Sequence, residues 1–389
     1  MEKDPVLLGC EVLAQRAPSW FRSARLGLLS NQASVTSRFE HTRSVLERAG
    51  GRFVSLFSPQ HGFFAEKQAN MIESADSCLE SIPVYSLYGA VRQPTREMLR
   101  SVDVLLIDVQ DVGTRVYTFG TTMGLCMEAA VGSGTKIVVL DRPNPIGGTR
   151  AEGNVLKAEY RSFVGRYPIP MRHGLTLGEL ALFIQAECRV ACDLEVVPMQ
   201  GWNRGDLFPD TGLPWVFPSP NMPSWETAVL YPGMVLLEGC NVSEGRGSTL
   251  PFQLFGAPFI DQKRLGEYLH DLHLEGVAFR PICFEPMFDK WQGRTCCGFQ
   301  IHVTDPRKFR PYNLGLHLLR GFLTTCRDDF QWLPPPYEYE RHKLPMDILL
   351  GDGCIREAIE AGANIEELEK GWISELREYR EKARGCFLY

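Results

Sequence analysis

The run Asp103-Val104-Leu105-Leu106-Ile107-Asp108-Val109 constrains the fold more than any other part of this chain. It is apolar without interruption, bounded by acids, and too short for an ordinary helix. Such a run reads as a strand buried on both faces, which is what a parallel sheet covered by helices requires. Similar runs lie at residues 25–29, 52–57, 84–87 and 136–140. Between them, residues 41–49, 94–102 and 118–131 have helical spacing, the second with Pro94 and Thr95 at its start. The alternation predicts an α/β fold, a Rossmann-like parallel sheet with helices on both faces.

Parallel sheets of this kind hold ligands in the crevice outside the carboxyl ends of their strands. The residues just past the predicted strands are Asn31-Gln32, Ser58-Pro59-Gln60-His61, the 108–115 segment and Asp141-Arg142-Pro143-Asn144. All are polar and able to do acid, amide or cation chemistry. The 108–115 segment alone brings Asp108, Asp111 and Arg115 to one exit. A structural reading, a capping acid with a salt bridge, stands beside the functional one.

Farther along come three proline- and glycine-rich segments, 168–174, 211–223 and 231–233. Residues 234–238 (MVLLE) read as a further buried strand, opening onto the glycine-rich stretch 239–249. A carboxylate ending a buried strand is costly unless paired, so Glu238 is either bonded to Arg246 or functional. Glu244, between Ser243 and Gly245, is expected to face a ligand, whereas Glu128, late on its helix, is expected to be structural. The domain division is placed near Pro251, giving a Rossmann-like catalytic domain over 1–250 and a smaller α+β domain over 251–389 that closes the cleft. The latter is read as a helix at 262–274, strands near 276–281 and 298–303, a helix at 314–326, and helices from 355 onward.

Composition narrows the class. The chain has 389 residues, 44% hydrophobic and 23% charged, with a formal net charge of −6, so no basic field exists to collect nucleic-acid phosphates. No apolar run is long enough to cross a bilayer. Residues 1–12 hold three acids and one lysine without an apolar core, so no secretory leader is expected and the cytoplasm is the expected compartment. The twelve cysteines have irregular spacing and are read as reduced, mostly buried thiols. Neither Cys188/Cys192, nor Cys296-Cys297, nor His270/His273 completes a metal site, so no metal is expected. A dinucleotide fingerprint after the first strand and a nucleophile elbow are both absent. The Gly132–Lys136 stretch precedes a strand and is read as a turn. Trp202, Trp215, Tyr117 and Phe63 could offer platforms to sugar faces, although packing is the default for each.

Six runs then become specific when taken together: Ser58-Pro59-Gln60-His61-Gly62-Phe63, IDVQDVGTRVYTF, VLDRPNPIGG, RHGLTLGELA, TGLPWVFPSPNMP and EGCNVSEGRGST. In this order they closely resemble the NamZ-type exo-β-N-acetylmuramidases, a glycoside hydrolase family, from near Leu26 to the last helix with Trp372. The resemblance implies a Rossmann-like domain and a smaller C-terminal domain with the active cleft between them. It also implies release of β-linked N-acetylmuramic acid (MurNAc) from non-reducing ends of peptidoglycan fragments, without metal or organic cofactor. The expected partners are muropeptides or MurNAc-GlcNAc fragments, not nucleic acid or membrane; the oligomeric state is left open.

Glycoside hydrolysis calls for a proton donor and a second carboxylate, unless the substrate's own acetamide attacks. Asp108, Asp111, Glu238 and Glu244 form the candidate catalytic pool. Gln60, His61, Arg115, Arg142, Asn221, Asn241 and Arg246 are the candidate substrate-binding residues, and Arg172 is a further loop cation. Arg246 is favoured for the lactyl carboxylate, a bidentate task that suits arginine. Gln60 stands where the family pattern commonly has glutamate, and an amide has no proton to give. Asn70 stands where it favours glycine, and Cys240 and Ser248 where it favours threonine. Two readings follow from different classes: a glycosidase using another carboxylate as acid, or a binder of peptidoglycan-derived amino sugars that lacks turnover. Hydrolysis of another acidic amino sugar is a third.

Overall fold

The computed structural model describes residues 6–68 and 71–389; Asn70 and residues 1–5 of the stretch read for a leader lie outside them. The strands are β1 (Arg25–Ser30), β2 (Arg52–Ser58), β3 (Ser77–Leu79), β4 (Ile82–Ser86), β5 (Val104–Asp108), β6 (Lys136–Leu140), β7 (Glu152–Val155), β8 (Pro170–Arg172), β9 (Leu194–Val197), β10 (Leu254–Ala257), β11 (Val277–Phe284) and β12 (Cys296–Val303). The main sheet has the order β3-β4-β2-β1-β5-β6-β9. All its pairings are parallel except β3 with β4 at the edge.

The continuous apolar runs follow from the two-residue period of a strand. Val104 and Leu106 of β5 enter one core with Leu26, Leu28, Leu56, Val138 and Leu140, under the helices Gly9–Arg16 and Thr42–Arg48. Leu105 and Ile107 enter the other with Leu29, Phe57, Ile137 and Val139, under Phe119–Ala130 and Leu177–Glu187. Each such side chain stabilises by roughly 1.5–3 kcal/mol when removed from water, so both faces of the sheet must be covered. The α/β class read from the sequence is the observed one. A second sheet, β10-β12-β11, is antiparallel, and β7 and β8 form a small hairpin-like pair.

One predicted strand is helical instead. Residues 234–238 continue the helix Trp225–Met234 into a 3-10 turn, Val235–Gly239. A short apolar run fits a buried helix as well as a buried strand, and here Met234, Val235, Leu236 and Leu237 are all buried in one core. The segment 231–233, read as a loop, lies inside that helix, with Pro232 accommodated near its end. Strands β3 and β7 to β10 escaped the sequence reading, and β8 falls within the proline-rich segment 168–174.

The helix carrying Tyr231 crosses Pro311–Thr325 with backbones in contact. A Cβ on Gly233 would sit 1.9 Å from the Pro311 carbonyl oxygen, and one on Gly315 would sit 2.6 Å from that of Gly233. Gly233→Ala is therefore expected to lower stability by about 1–3 kcal/mol through overpacking. A urea unfolding midpoint within error of wild type would show that the helices can part freely.

Candidate functional site

An enclosed pocket gathers the exits of β2 and β5, the turn after the Trp225–Met234 helix, and a proline-rich loop from the C-terminal part of the chain. Its walls include Gln60, His61, Tyr117, Thr118, Asn221, Tyr231, Glu238, Arg246, Tyr337 and Glu338. Gln60 and His61 leave β2 through a sharp turn in which His61 has φ +74° and Gly62 +87°. The left-handed backbone at a non-glycine residue re-aims both side chains, the kind of strain concentrated at functional sites.

His61 is buried, and that burial pushes its imidazole down to about 4 against its hydrogen bond to Lys67, with Arg246 also lowering it. The ring is therefore neutral at pH 7. Nδ1 lies 2.7 Å from the Lys67 carbonyl, an acceptor, so Nδ1 carries the proton and Nε2 is left as an acceptor. Gln60 is oriented from one side: Thr118 Oγ1 donates to its Oε1 at 2.7 Å. The amide nitrogen consequently faces Glu338 Oε1, at 3.3 Å.

Two carboxylates line the pocket. Glu238 accepts from Arg246 Nη2 at 2.6 Å and from the Tyr337 hydroxyl at 2.6 Å. The salt bridge to Arg246 that one reading of Glu238 called for is present, and the carboxylate also lies in the pocket wall. Glu338 accepts from the Tyr88 hydroxyl at 2.6 Å. Burial pushes its carboxyl above the ordinary range and Glu238 adds to this, while bonds from Tyr88 and Gln60 act the other way. Asn221 joins the wall through a paired amide contact with Gln68: its Nδ2 donates to the Gln68 carbonyl at 2.9 Å, and Gln68 Nε2 donates back at 3.3 Å.

The remaining charged and amide candidates lie outside the pocket wall. Asp108 is buried against Arg142, whose Nη2 donates at 2.9 Å and whose Nε also contacts it, and it accepts from Thr42 as well. Both residues lie outside the pocket wall. Asp111 caps its own loop by accepting from the Gly113 amide at 2.7 Å and sits 3.3 Å from His173 Nε2. Arg115 spends its guanidinium on the carbonyls of Asn154, Ile169, Leu349 and Leu350. It ties the β5 exit to the C-terminal helices, and burial pushes it down to about 10. Arg172 donates to the Ile146 carbonyl.

Asn241 holds the 329–331 backbone. Glu244 lies behind the pocket, 2.7 Å from Lys290 Nζ and 3.1 Å from Arg246 Nε. Burial works against its charge, but Lys290 and Arg246 outweigh that and hold it below the usual carboxylate range. It faces cations instead of the expected ligand. Glu128 is held by Arg166 and Tyr167. Trp202 and Trp215 pack edge-on against Tyr389 and Phe208; of the four aromatic candidates, Tyr117 lines the pocket.

Sequence reasoning missed Glu338 altogether. Its segment, Pro334-Pro335-Pro336-Tyr337-Glu338-Tyr339, follows no strand, and strand exits were the guide. Three prolines beside two tyrosines and an acid were the available signal, since the length and order of such a loop are usually functional.

Two family models match the chain, "Exo-beta-N-acetylmuramidase NamZ, N-terminal" over residues 26–226 and "Exo-beta-N-acetylmuramidase NamZ, C-terminal" over residues 229–389. The chain is 41% identical over 392 aligned residues to the peptidoglycan β-N-acetylmuramidase NamZ of Bacillus subtilis (strain 168), covering 100% of this chain and 92% of that protein. Crystal structures of two DUF1343 family proteins from Bacteroides fragilis NCTC 9343 share the architecture. One superposes with a TM-score of 0.89 at 33% identity and the other with 0.76 at 26% identity, each covering 99% of both chains. With matches running through both halves and over its full length, the chain belongs to the NamZ exo-β-N-acetylmuramidase family.

Proposed function

We propose that this protein is an exo-β-N-acetylmuramidase acting on peptidoglycan, releasing β-linked MurNAc from the non-reducing ends of its fragments. The observation that carries the reading is one enclosed pocket in which Glu238 and Glu338 converge with Arg246. Two carboxylates are the working parts of most glycosidases. The binder reading loses its main support, because the pocket holds two carboxylates, Glu238 and Glu338, although Gln60 has no proton to give.

The enclosed space is about 30 Å³, whereas ligand sites run from roughly 300 Å³ upward. Admitting a sugar ring therefore requires the rim to move. The rim segment around Tyr339 is held by Arg92, whose guanidinium lies 4.1 Å from the Tyr339 ring and 4.4 Å from that of Tyr88.

Arg246 is the cation among the pocket-lining residues, and it is assigned to the lactyl carboxylate that distinguishes MurNAc from N-acetylglucosamine. Hydrogen bonds to charged groups contribute about 1.5–3 kcal/mol. Arg246→Lys is accordingly expected to cut the preference for a β-MurNAc over a β-GlcNAc glycoside by roughly 10- to 100-fold. An unchanged ratio of kcat/KM values would remove Arg246 from that role.

The activity itself is tested by incubating the protein with MurNAc-GlcNAc and following free MurNAc by mass spectrometry. Absence of release, with cleavage inside longer glycan strands, would replace exo by endo action. A panel of other acidic amino-sugar glycosides addresses the third reading. The division near residue 250 is likewise proposed, the C-terminal unit supplying Tyr337 and Glu338 to the wall. The twelve free thiols support a reducing compartment, so we place the protein in the cytoplasm; cell fractionation tests this.

A further inference from the structure

The two pocket carboxylates are held by different kinds of donor. Glu238 is salt-bridged to Arg246, whereas Glu338 takes its hydrogen bonds from Gln60 and Tyr88, both neutral. Two carboxylates in one buried space resist being ionised together, and the proton goes to the one lacking direct cationic support. The backbone at Glu338 and Tyr339 is left-handed, with φ +44° and +72°. These consecutive non-glycine residues turn the chain so that Tyr337 reaches Glu238 while Glu338 reaches Gln60.

We propose that Glu338 is the general acid of glycoside cleavage and that Gln60 is the positioning residue that aims it. This rests on the muramidase reading above. Tyr88 occupies Oε2 at 2.6 Å, and the longer 3.3 Å contact from Gln60 leaves Oε1 to carry the proton into the pocket. As the bond from the anomeric carbon to the leaving oxygen breaks, its electron pair stays on that oxygen, which takes the Glu338 proton. The anomeric carbon ends bonded to the hydroxyl of one water, whose remaining proton returns the carboxylate to its acid form through solvent.

The groups that act on Glu338 are Gln60 after β2, Tyr88 after β4, Tyr231 on its helix, Glu238 and Arg246 from the central turn, and its neighbours Tyr337 and Tyr339, while His61 shares the pocket wall as a neutral ring. Burial and the negative charge of Glu238 raise its proton affinity; Tyr88, Gln60 and Arg246 lower it. The acid form is competent, so activity falls as pH rises through this group's titration. Removing a donor to the charged form moves that fall to higher pH.

The test compares wild type, Glu338→Gln and Tyr88→Phe on two substrates, MurNAc-GlcNAc and 2,4-dinitrophenyl β-MurNAc. The second has a leaving group that needs no proton. Glu338→Gln is expected to lose roughly 10²- to 10⁴-fold on the disaccharide yet stay within about tenfold of wild type on the dinitrophenyl glycoside. Tyr88→Phe keeps the acid and is expected to move the alkaline limb upward by about one pH unit. Equal losses on both substrates, or full activity of Glu338→Gln on the disaccharide, would overturn the assignment. If wild type released MurNAc from neither substrate, the muramidase reading would fail first and take the acid with it.

Discussion

Glu238→Gln is expected to reduce kcat/KM for MurNAc release by roughly 10²- to 10⁴-fold, the range for loss of a positioned catalytic carboxylate. The substitution preserves shape, and its amide oxygen can still accept from Tyr337 or Arg246. What disappears is the negative charge that would activate water, attack the anomeric carbon or orient the substrate acetamide. That charge sits in a wall shared with Glu338. The loss should appear with the dinitrophenyl glycoside as well as with the disaccharide, in contrast to Glu338→Gln. Arg246 keeps its contact with Glu244 at 3.1 Å, so folding should survive, which a thermal melt can verify. A folded Glu238→Gln variant with activity within tenfold of wild type would exclude the carboxylate from the chemistry.

The second large effect is on stability. Asp108→Ala leaves the Arg142 guanidinium buried without the carboxylate it grips by two nitrogens. Breaking a buried pair from one side costs about 3–5 kcal/mol, because the remaining charge stays in the interior. Urea unfolding should show a midpoint lowered accordingly. Protein that remains folded should turn over at near wild-type rate, since neither residue lines the pocket. A catalytic Asp108 would give the opposite pattern, with turnover lost and stability little changed. Measuring both quantities on one variant therefore separates the frame from the site.

Local pattern was enough to read the sheet. β1, β2, β4, β5 and β6 stand within a residue or two of where alternating cores demand them, because a strand buried on both faces must be apolar at every position. The same logic failed at Met234–Glu238, where burial on all sides erases the difference between strand and helix periods. It also passed over β9, whose Leu194-Glu195-Val196-Val197 is a half-exposed edge. Gln60, His61, Glu238 and Arg246 were reachable because they lie close along the chain to β2 or to a buried apolar segment.

By itself, the sequence determined the parallel α/β core, the family and a pool of polar residues beside it. It could not sort that pool, because a carboxylate's role depends on its partner more than on its residue type. Asp108 and Glu238 are both buried acids gripped by arginine, yet one pair is sealed in the frame and the other opens on the pocket. Only the tertiary structure decided this, and only it brought Glu338 to Gln60 across 278 positions of chain. Contacts at that separation leave no periodic trace in the sequence. They are fixed by how the C-terminal loop packs over the strand exits.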